Sequence, residues 1–474
     1  MPTVDLHSKD DYASIYYTTN TPYCNVGGFD PEKPPIVILP PAFLDSTWTE
    51  AQMGDSRLNK NYNIIAFDMR SSGKSICRPS GRHDSWVDAA DLAFCFQILH
   101  LPPSHILALE GTSVYCALRF AVLFPELCLS LTLVNVPAPS ELKWIYQNID
   151  ELVHAACFSD DLEPFQQATF ECIEFLFGPN SDADLVDDLV TFWETTMPPS
   201  QRVRTAETTS LYINRSPMDP EACSLITQPV LVIQGEKNEL CPKKYAEALV
   251  EQLTGVPDGA VLYEVKGGRS MISVVPGNAS IVNNVFFKFL GRLPHYRSDI
   301  TPPTLSLRDR MKIALNRFSE ITGMDITSLD PLSSLSFSCV TDEVMTAQTE
   351  ILKHYQKGAR DAFTPTAVEG SPPRRYSQRD REEWSYTEKS RLSINSKTIS
   401  LHPDRINFDI ERIHKSSLRS EIQSFQSSTT SGDAPLIKGA FSSINDKQNG
   451  KRLKSSKAIE SQNINSSPSI RLRS

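Results

Sequence analysis

Ile106-Leu107-Ala108-Leu109-Glu110-Gly111-Thr112-Ser113-Val114-Tyr115-Cys116-Ala117-Leu118-Arg119-Phe120-Ala121-Val122-Leu123-Phe124-Pro125-Glu126 decides the fold. Residues 106–109 form an unbroken apolar run, which suits a short strand buried on both faces. Four small or polar residues follow, 110–113, and then residues 115–123 read as a tightly packed helix. Pro125 closes that helix, because the residue before a proline is pushed out of helical geometry. Residues 131–136 then open a second apolar run. Strand, sharp turn, helix and strand make the repeating unit of a parallel sheet covered by helices.

The same alternation extends outward through residues 1–295. Residues 13–18 predict an opening edge strand, and 36–39, 64–67, 230–234 and 261–265 predict further strands. Residues 85–100 predict a helix started by a capping box, Ser85 with Asp88, and residues 244–253 predict another. Between about 140 and 215 there is no clear strand. Residues 142–153, 164–177 and 183–194 read instead as helices, an insertion of the kind an α/β domain carries as a cap. A helical extension, 296–363, holds two candidate helices at 307–321 and 342–355. The expected fold class is α/β: a mostly parallel sheet flanked by helices, with a helical cap and a disordered C-terminal tail at 364–474.

Charge divides the chain at the same place. Residues 359–474 hold 20 Lys/Arg against 13 Asp/Glu, and residues 1–358 hold 27 against 44. The acidic part is rich in large apolar residues and carries all ten cysteines, so it can bury a sizeable core. The tail is dominated by Ser, Arg, Lys, Asn and Gln, and lacks the apolar surface to offset chain entropy. The cysteines lack paired spacing, and the first residues lack a basic-then-apolar signal, which predicts reduced thiols in the cytoplasm, with the nucleus as the alternative. No run approaches the roughly 18 apolar residues of a spanning helix. No cofactor, metal or nucleic-acid motif is present in the sequence.

Asp68-Met69-Arg70-Ser71-Ser72-Gly73-Lys74-Ser75 resembles the D-x-R-G-x-G-x-S loop of the α/β-hydrolase superfamily. Residues 117–126 resemble the helix after that family's nucleophile elbow, and residues 131–135 its next strand. Gly235-Glu236-Lys237-Asn238-Glu239-Leu240-Cys241-Pro242 matches G-x-x-D-x-x-x-P apart from Asn238. The resemblance covers roughly residues 10–295 and implies an acyl-transfer fold built around a Ser, His and acid triad.

The three triad positions hold other residues. Leu109-Glu110-Gly111-Thr112-Ser113 falls across the elbow, which places Gly111 at the nucleophile. Asn238 stands at the acid, and an amide carries no charge to stabilise an imidazolium. Arg269, in Gly267-Gly268-Arg269-Ser270, stands at the base and stays protonated near neutral pH. No histidine lies between His154 and His295, so a small shift of register restores no base. Ser113 is a nucleophile candidate in a shifted register; its plainer role is a first-turn hydroxyl that satisfies a backbone N–H. Backbone donors for an oxyanion remain available at Ala42 and Thr112. Ala42, Phe43, Glu110, Thr112 and Arg269 are the expected lining of a residual ligand pocket. Arg269 has candidate partners in Glu110 and in the cap carboxylates Asp160, Asp161 and Glu163, or in an acidic ligand.

Taken together these residues predict a pseudoenzyme that binds a small ligand or a protein partner, similar in plan to the N-myc downstream-regulated group. Two alternatives stand beside it. One is a divergent serine hydrolase using Ser113. The other is a scaffold whose tail makes the contacts. Arg374-Arg375-Tyr376-Ser377 has the spacing read by a basophilic kinase, making Ser377 a modification candidate, and residues 451–457 form a basic cluster.

Overall fold

The structure is a computed structural model, and it describes residues 2–179, 181–326 and 328–365. Among the described residues nine strands form one sheet: β1 (Thr3–His7), β2 (Tyr12–Thr19), β3 (Pro35–Leu39), β4 (Asn63–Asp68), β5 (Ile76–Cys77), β6 (Ser104–Leu109), β7 (Cys128–Val134), β8 (Val230–Gly235) and β9 (Val261–Val265). Their order is β1-β2-β4-β3-β6-β7-β8-β9, with β5 paired to β2. Every pairing from β4 across to β9 is parallel, and the β1, β2 and β5 pairings are antiparallel. Every residue of β3, β4, β6 and β8 is buried, as expected for strands covered on both faces.

Two strands escape the sequence reading. β1 alternates exposed and buried residues, with only Val4 and Leu6 facing inward, so it shows no unbroken apolar run. It takes the edge position that the sequence predicts for residues 13–18, and β2 lies second, pairing with β1, β4 and β5. The two-residue β5 is too short to leave a pattern.

The main helices are α1 (Ser85–Ile98), α2 (Thr112–Leu123), α3 (Lys143–Cys157), α4 (Leu162–Phe177), α5 (Ala183–Thr196), α6 (Arg202–Ile213), α7 (Lys243–Gln252), α8 (Pro276–Leu290), α9 (Leu307–Thr322) and α10 (Asp342–Gln356). The insertion between β7 and β8, the segment expected as the cap and called so below, carries α3 to α6. α6 is absent from the sequence reading because nearly every residue in it is buried, polar ones included, so no apolar stripe marks it. The capping box predicted for α1 is not formed. Asp84 is the N-cap, accepting from the Trp86 and Val87 amides at 3.0 Å each, while Asp88 binds His83 Nε2 at 2.8 Å.

The extension packs on the sheet domain. Met311, Ala314, Leu315 and Phe318 of α9 join the main core, where Phe318 meets Trp86 at 4.9 Å between ring centroids. α10 lies along α6, and the Arg202 guanidinium donates to the Tyr355 carbonyl at 2.7 Å. This architecture, a mostly parallel sheet flanked by helices, is the α/β-hydrolase fold that the resemblance implies. Thr364 and Pro365, at the start of the expected disordered tail, are described, with Thr364 Oγ1 bonded to Ser200 Oγ at 3.0 Å; the rest of that tail, Ser377 and the basic cluster at 451–457 lie outside the described residues.

Candidate functional site

The elbow joins β6 to α2. Glu110 and Gly111 both have φ of +64°, and Gly111 has ψ of −131°. Such a backbone strains any residue with a Cβ. At Gly111 space forbids one as well. A Cβ there would stand 2.6 Å from Ala42 Cβ and 3.4 Å from Tyr212 Cε2. The nucleophile position is therefore closed on one side by the loop after β3 and on the other by the cap.

The Glu110 side chain is held by Asn135, the residue after β7, which β8 in turn fixes. Asn135 Nδ2 donates to Glu110 Oε1 at 2.7 Å, and Asn135 Oδ1 accepts the Gly235 amide at 2.8 Å. Burial pushes the Glu110 carboxyl up to about 8, against the opposing pull of Asn135 and of the Ser273 and Ile272 amides. At neutral pH this acid mostly keeps its proton. Its Oε2 has no hydrogen-bond partner of ordinary geometry.

The other two triad positions point elsewhere. Asn238 is buried; its Oδ1 accepts the Cys241 amide at 2.9 Å and so closes its own turn, while Nδ2 has no partner. Arg269 is exposed, with Cδ and Nη1 each 3.6 Å from where a Gly178 Cβ would stand. Among the described residues it forms no ion pair, so neither Glu110 nor Asp160, Asp161 or Glu163 is its partner. The reason is the backbone of its loop. Gly268 and Arg269 press onto Gly235, where a Cβ would meet the Arg269 carbonyl oxygen at 2.5 Å, and the side chain leaves toward the cap surface.

Ser113 is buried and donates its hydroxyl to the Pro40 carbonyl oxygen. It thus ties α2 to the loop after β3 through a carbonyl, where the sequence suggests a bond to an N–H. No histidine or carboxylate bonds to it among the described residues.

Ala42 and Phe43 close over the elbow. Phe43 has φ of +64°, is buried, and packs its ring 5.2 Å from Tyr212 and 6.4 Å from Trp193. A small cavity of about 10 Å³ lies among α3, α4, α5 and Phe43, lined by Phe43, Ile149, Val153, Cys172, Leu176 and Trp193 among others. That is room for about one water. Of the expected pocket residues, Ala42, Phe43 and Thr112 gather around Gly111. Glu110 turns beneath them toward β7, and Arg269 lies apart.

The residues that fill this site come largely from the cap, and the sequence reading missed them. Tyr212 sits in α6 beside buried Arg215, whose Nη1 binds Glu141 Oε2 at 2.5 Å and whose Nε donates to Ala138 O at 3.0 Å. Further along α6, Thr208 Oγ1 donates to the Ser71 carbonyl at 2.8 Å, and Arg204 Nε to the same oxygen at 3.0 Å. His83 lies between Asp88, at 2.8 Å, and Glu207 of α6, at 3.4 Å. Burial lowers its pKa, but the two carboxylates outweigh burial and raise it to about 10, so the imidazole is charged. Lone polar residues in the sequence give no signal for such contacts. Among the described residues no group of three or more His, Cys, Asp or Glu is arranged to hold a metal ion, and no helix is long and apolar enough to cross a membrane.

No family model matches the chain, and no curated protein matches it. Solved structures do. A thermophilic esterase from Thermogutta terrifontis is 14% identical, aligning over 62% of this chain and 99% of its own, with a TM-score of 0.48. A bromoperoxidase from Bacillus anthracis is 15% identical over 61% and 99%, also at 0.48. An enol-lactonase from Burkholderia xenovorans is 13% identical over 61% and 100%, at 0.47. These likenesses are of fold alone.

Proposed function

We propose that this α/β-hydrolase-fold chain is catalytically inactive and works as a regulatory protein that binds a protein partner. The observation that carries the reading is Gly111, which lacks a side chain at the elbow and has no room for one beside Ala42. An acyl-transfer site needs a nucleophile, a base within hydrogen-bond reach of it and an acid behind the base. Here Ser113 is bonded to a carbonyl, Arg269 is exposed, and Asn238 is spent on its own turn. A partner is preferred over a small ligand because Phe43 packs its ring against Tyr212 and Trp193 beside the elbow. Recognition then falls to the outer surface.

A fluorophosphonate probe tests the inactive reading directly. The full chain is expected to stay unlabelled and to hydrolyse short-chain esters no faster than heat-denatured protein. Labelling that disappears in Ser113→Ala would overturn the reading and establish the divergent serine hydrolase.

A further inference from the structure

β9 ends the sheet and leaves one edge open. Among the described residues it pairs with β8 alone. In a parallel ladder the N–H and C=O of one residue face the same neighbour, and successive residues alternate. The Val265 carbonyl accepts the Glu236 amide at 3.1 Å, so Val261, Tyr263 and Val265 turn their backbone toward β8. Leu262 and Glu264 therefore turn theirs to the open edge, where no other backbone group among the described residues bonds to them.

The side chains along that edge are apolar. Val261 is 47% exposed and Tyr263 is 40% exposed. They share a face with Val265, which packs with Val282 and Phe286 of α8. Ile281 is exposed on the flank of α8 opposite Asn283, whose amide donates to the Ala51 carbonyl at 2.7 Å. The other edge of the sheet differs, since β1 exposes Thr3, Asp5 and His7. Charged side chains, prolines or bulges usually guard a free edge. β9 carries only Glu264, and Lys243 meets that charge at 2.6 Å. The ends of the strand are open as well. Gly259 and Gly267 flank it, and nothing stands within 4 Å of where a Cβ would lie on either.

We propose that β9 pairs with β9 of a second copy of this chain, antiparallel about a two-fold axis at Leu262, joining the two sheets edge to edge. Side-chain chemistry selects this register. Leu262 faces its own counterpart in a hydrogen-bonded pair, and Val261 lies opposite Tyr263 of the second copy on both sides of it. Those are non-hydrogen-bonded pairs, where side chains approach most closely, and an aromatic ring against a β-branched residue is a favourable cross-strand contact. At each end exposed Asp258 falls beside exposed Lys266. Moving the axis to Val261 sets Glu264 against Asp258, and moving it to Tyr263 sets Glu264 against Leu262. An axis between two residues would oppose open backbone groups with ones already turned to β8. This self-association does not depend on whether the elbow is catalytically active.

Sedimentation equilibrium of the full chain tests it. The parent is expected to show a reversible monomer–dimer equilibrium that reaches twice the monomer mass at high concentration. K266D sets an acid beside Asp258 at both ends and should weaken association about tenfold. D258K/K266D should restore it, a rescue that an unrelated contact would not give. In a second arm, chains carrying V261C and chains carrying Y263C are mixed in air. The mixture should form a covalent dimer that neither variant forms alone, nor the parent with its ten cysteines. All four positions are exposed, so the variants are expected to keep the parent's circular dichroism. A parent that stays monomeric at every concentration overturns the proposal, whatever covers the edge. A dimer indifferent to K266D, a swap that fails to rescue, or a mixture without the crosslink also overturns it, because each places the contact elsewhere.

Discussion

Gly111 and Glu110 illustrate how much one residue can settle. Introducing serine at Gly111 forces a Cβ into the left-handed region and against Ala42 Cβ at 2.6 Å. Backbone strain and overpacking each cost about 1–3 kcal/mol, so Gly111→Ser is expected to lose about 2–5 kcal/mol in chemical denaturation. An unchanged midpoint would refute the packing argument. Gly111→Ser, Asn238→Asp and Arg269→His together are expected to give no esterase activity, since position 269 faces outward and position 238 serves its own turn. Glu110 makes a different prediction. Its carboxyl is raised from 4.5 to about 8 in the folded chain, so the folded state binds the proton more tightly than the unfolded state. Stability therefore falls as pH rises from about 4.5 to about 8, and Glu110→Gln should flatten that slope. The gain at pH 8 is on the order of 4 kcal/mol, read as a shift in denaturation midpoint. A variant with the same pH slope as the parent would show that Glu110 is not the titrating group.

At the scale of elements, α6 determines whether the cap is a lid or a fixed wall. It reaches the β4–β5 loop through Thr208 and Arg204, the start of α1 through Glu207 and His83, and the extension through Arg202. His83 is raised from 6.5 to about 10, so its contribution is fully present below about 6.5 and is lost as pH rises through about 10. The parent chain is expected to lose stability relative to His83→Gln between pH 7 and pH 10, narrowing the gap between them. A constant gap across that window would remove His83 from the account. α6 also marks where sequence reading failed among elements. α3, α4 and α5 were legible from an apolar stripe; α1 and α2 are buried on nearly every side, as α6 is, but are mostly apolar and so read as core helices. α6 is buried on nearly all sides by polar contacts, and a period cannot be seen where every face is inside.

Across the whole molecule, the extension, cap and sheet share contacts too numerous for easy separation. Phe318 and Phe337 sit in the main core with Trp86, and α10 backs α6. Truncating the large buried Phe318 to alanine should cost about 3–5 kcal/mol and lower the single thermal transition of the whole body. A separate early transition, with the remainder unmoved, would show that residues 296–363 fold apart from the sheet.

The sequence by itself determined the sheet, since unbroken apolar runs at fixed spacing admit little else, and it located Gly111, Asn238 and Arg269 by their place in ordered motifs. It also showed the split between an acidic body and a basic tail. Tertiary structure alone decided where those three side chains point and what stands around them. Ala42, Tyr212 and Trp193 meet near the elbow from distant parts of the chain, and the Arg269 side chain is turned away because the Gly268 and Arg269 backbone presses on Gly235. Strand formation is governed by local pattern and burial, which a sequence displays. The filling of a pocket depends on contacts between residues far apart in the chain, and those leave no periodic trace.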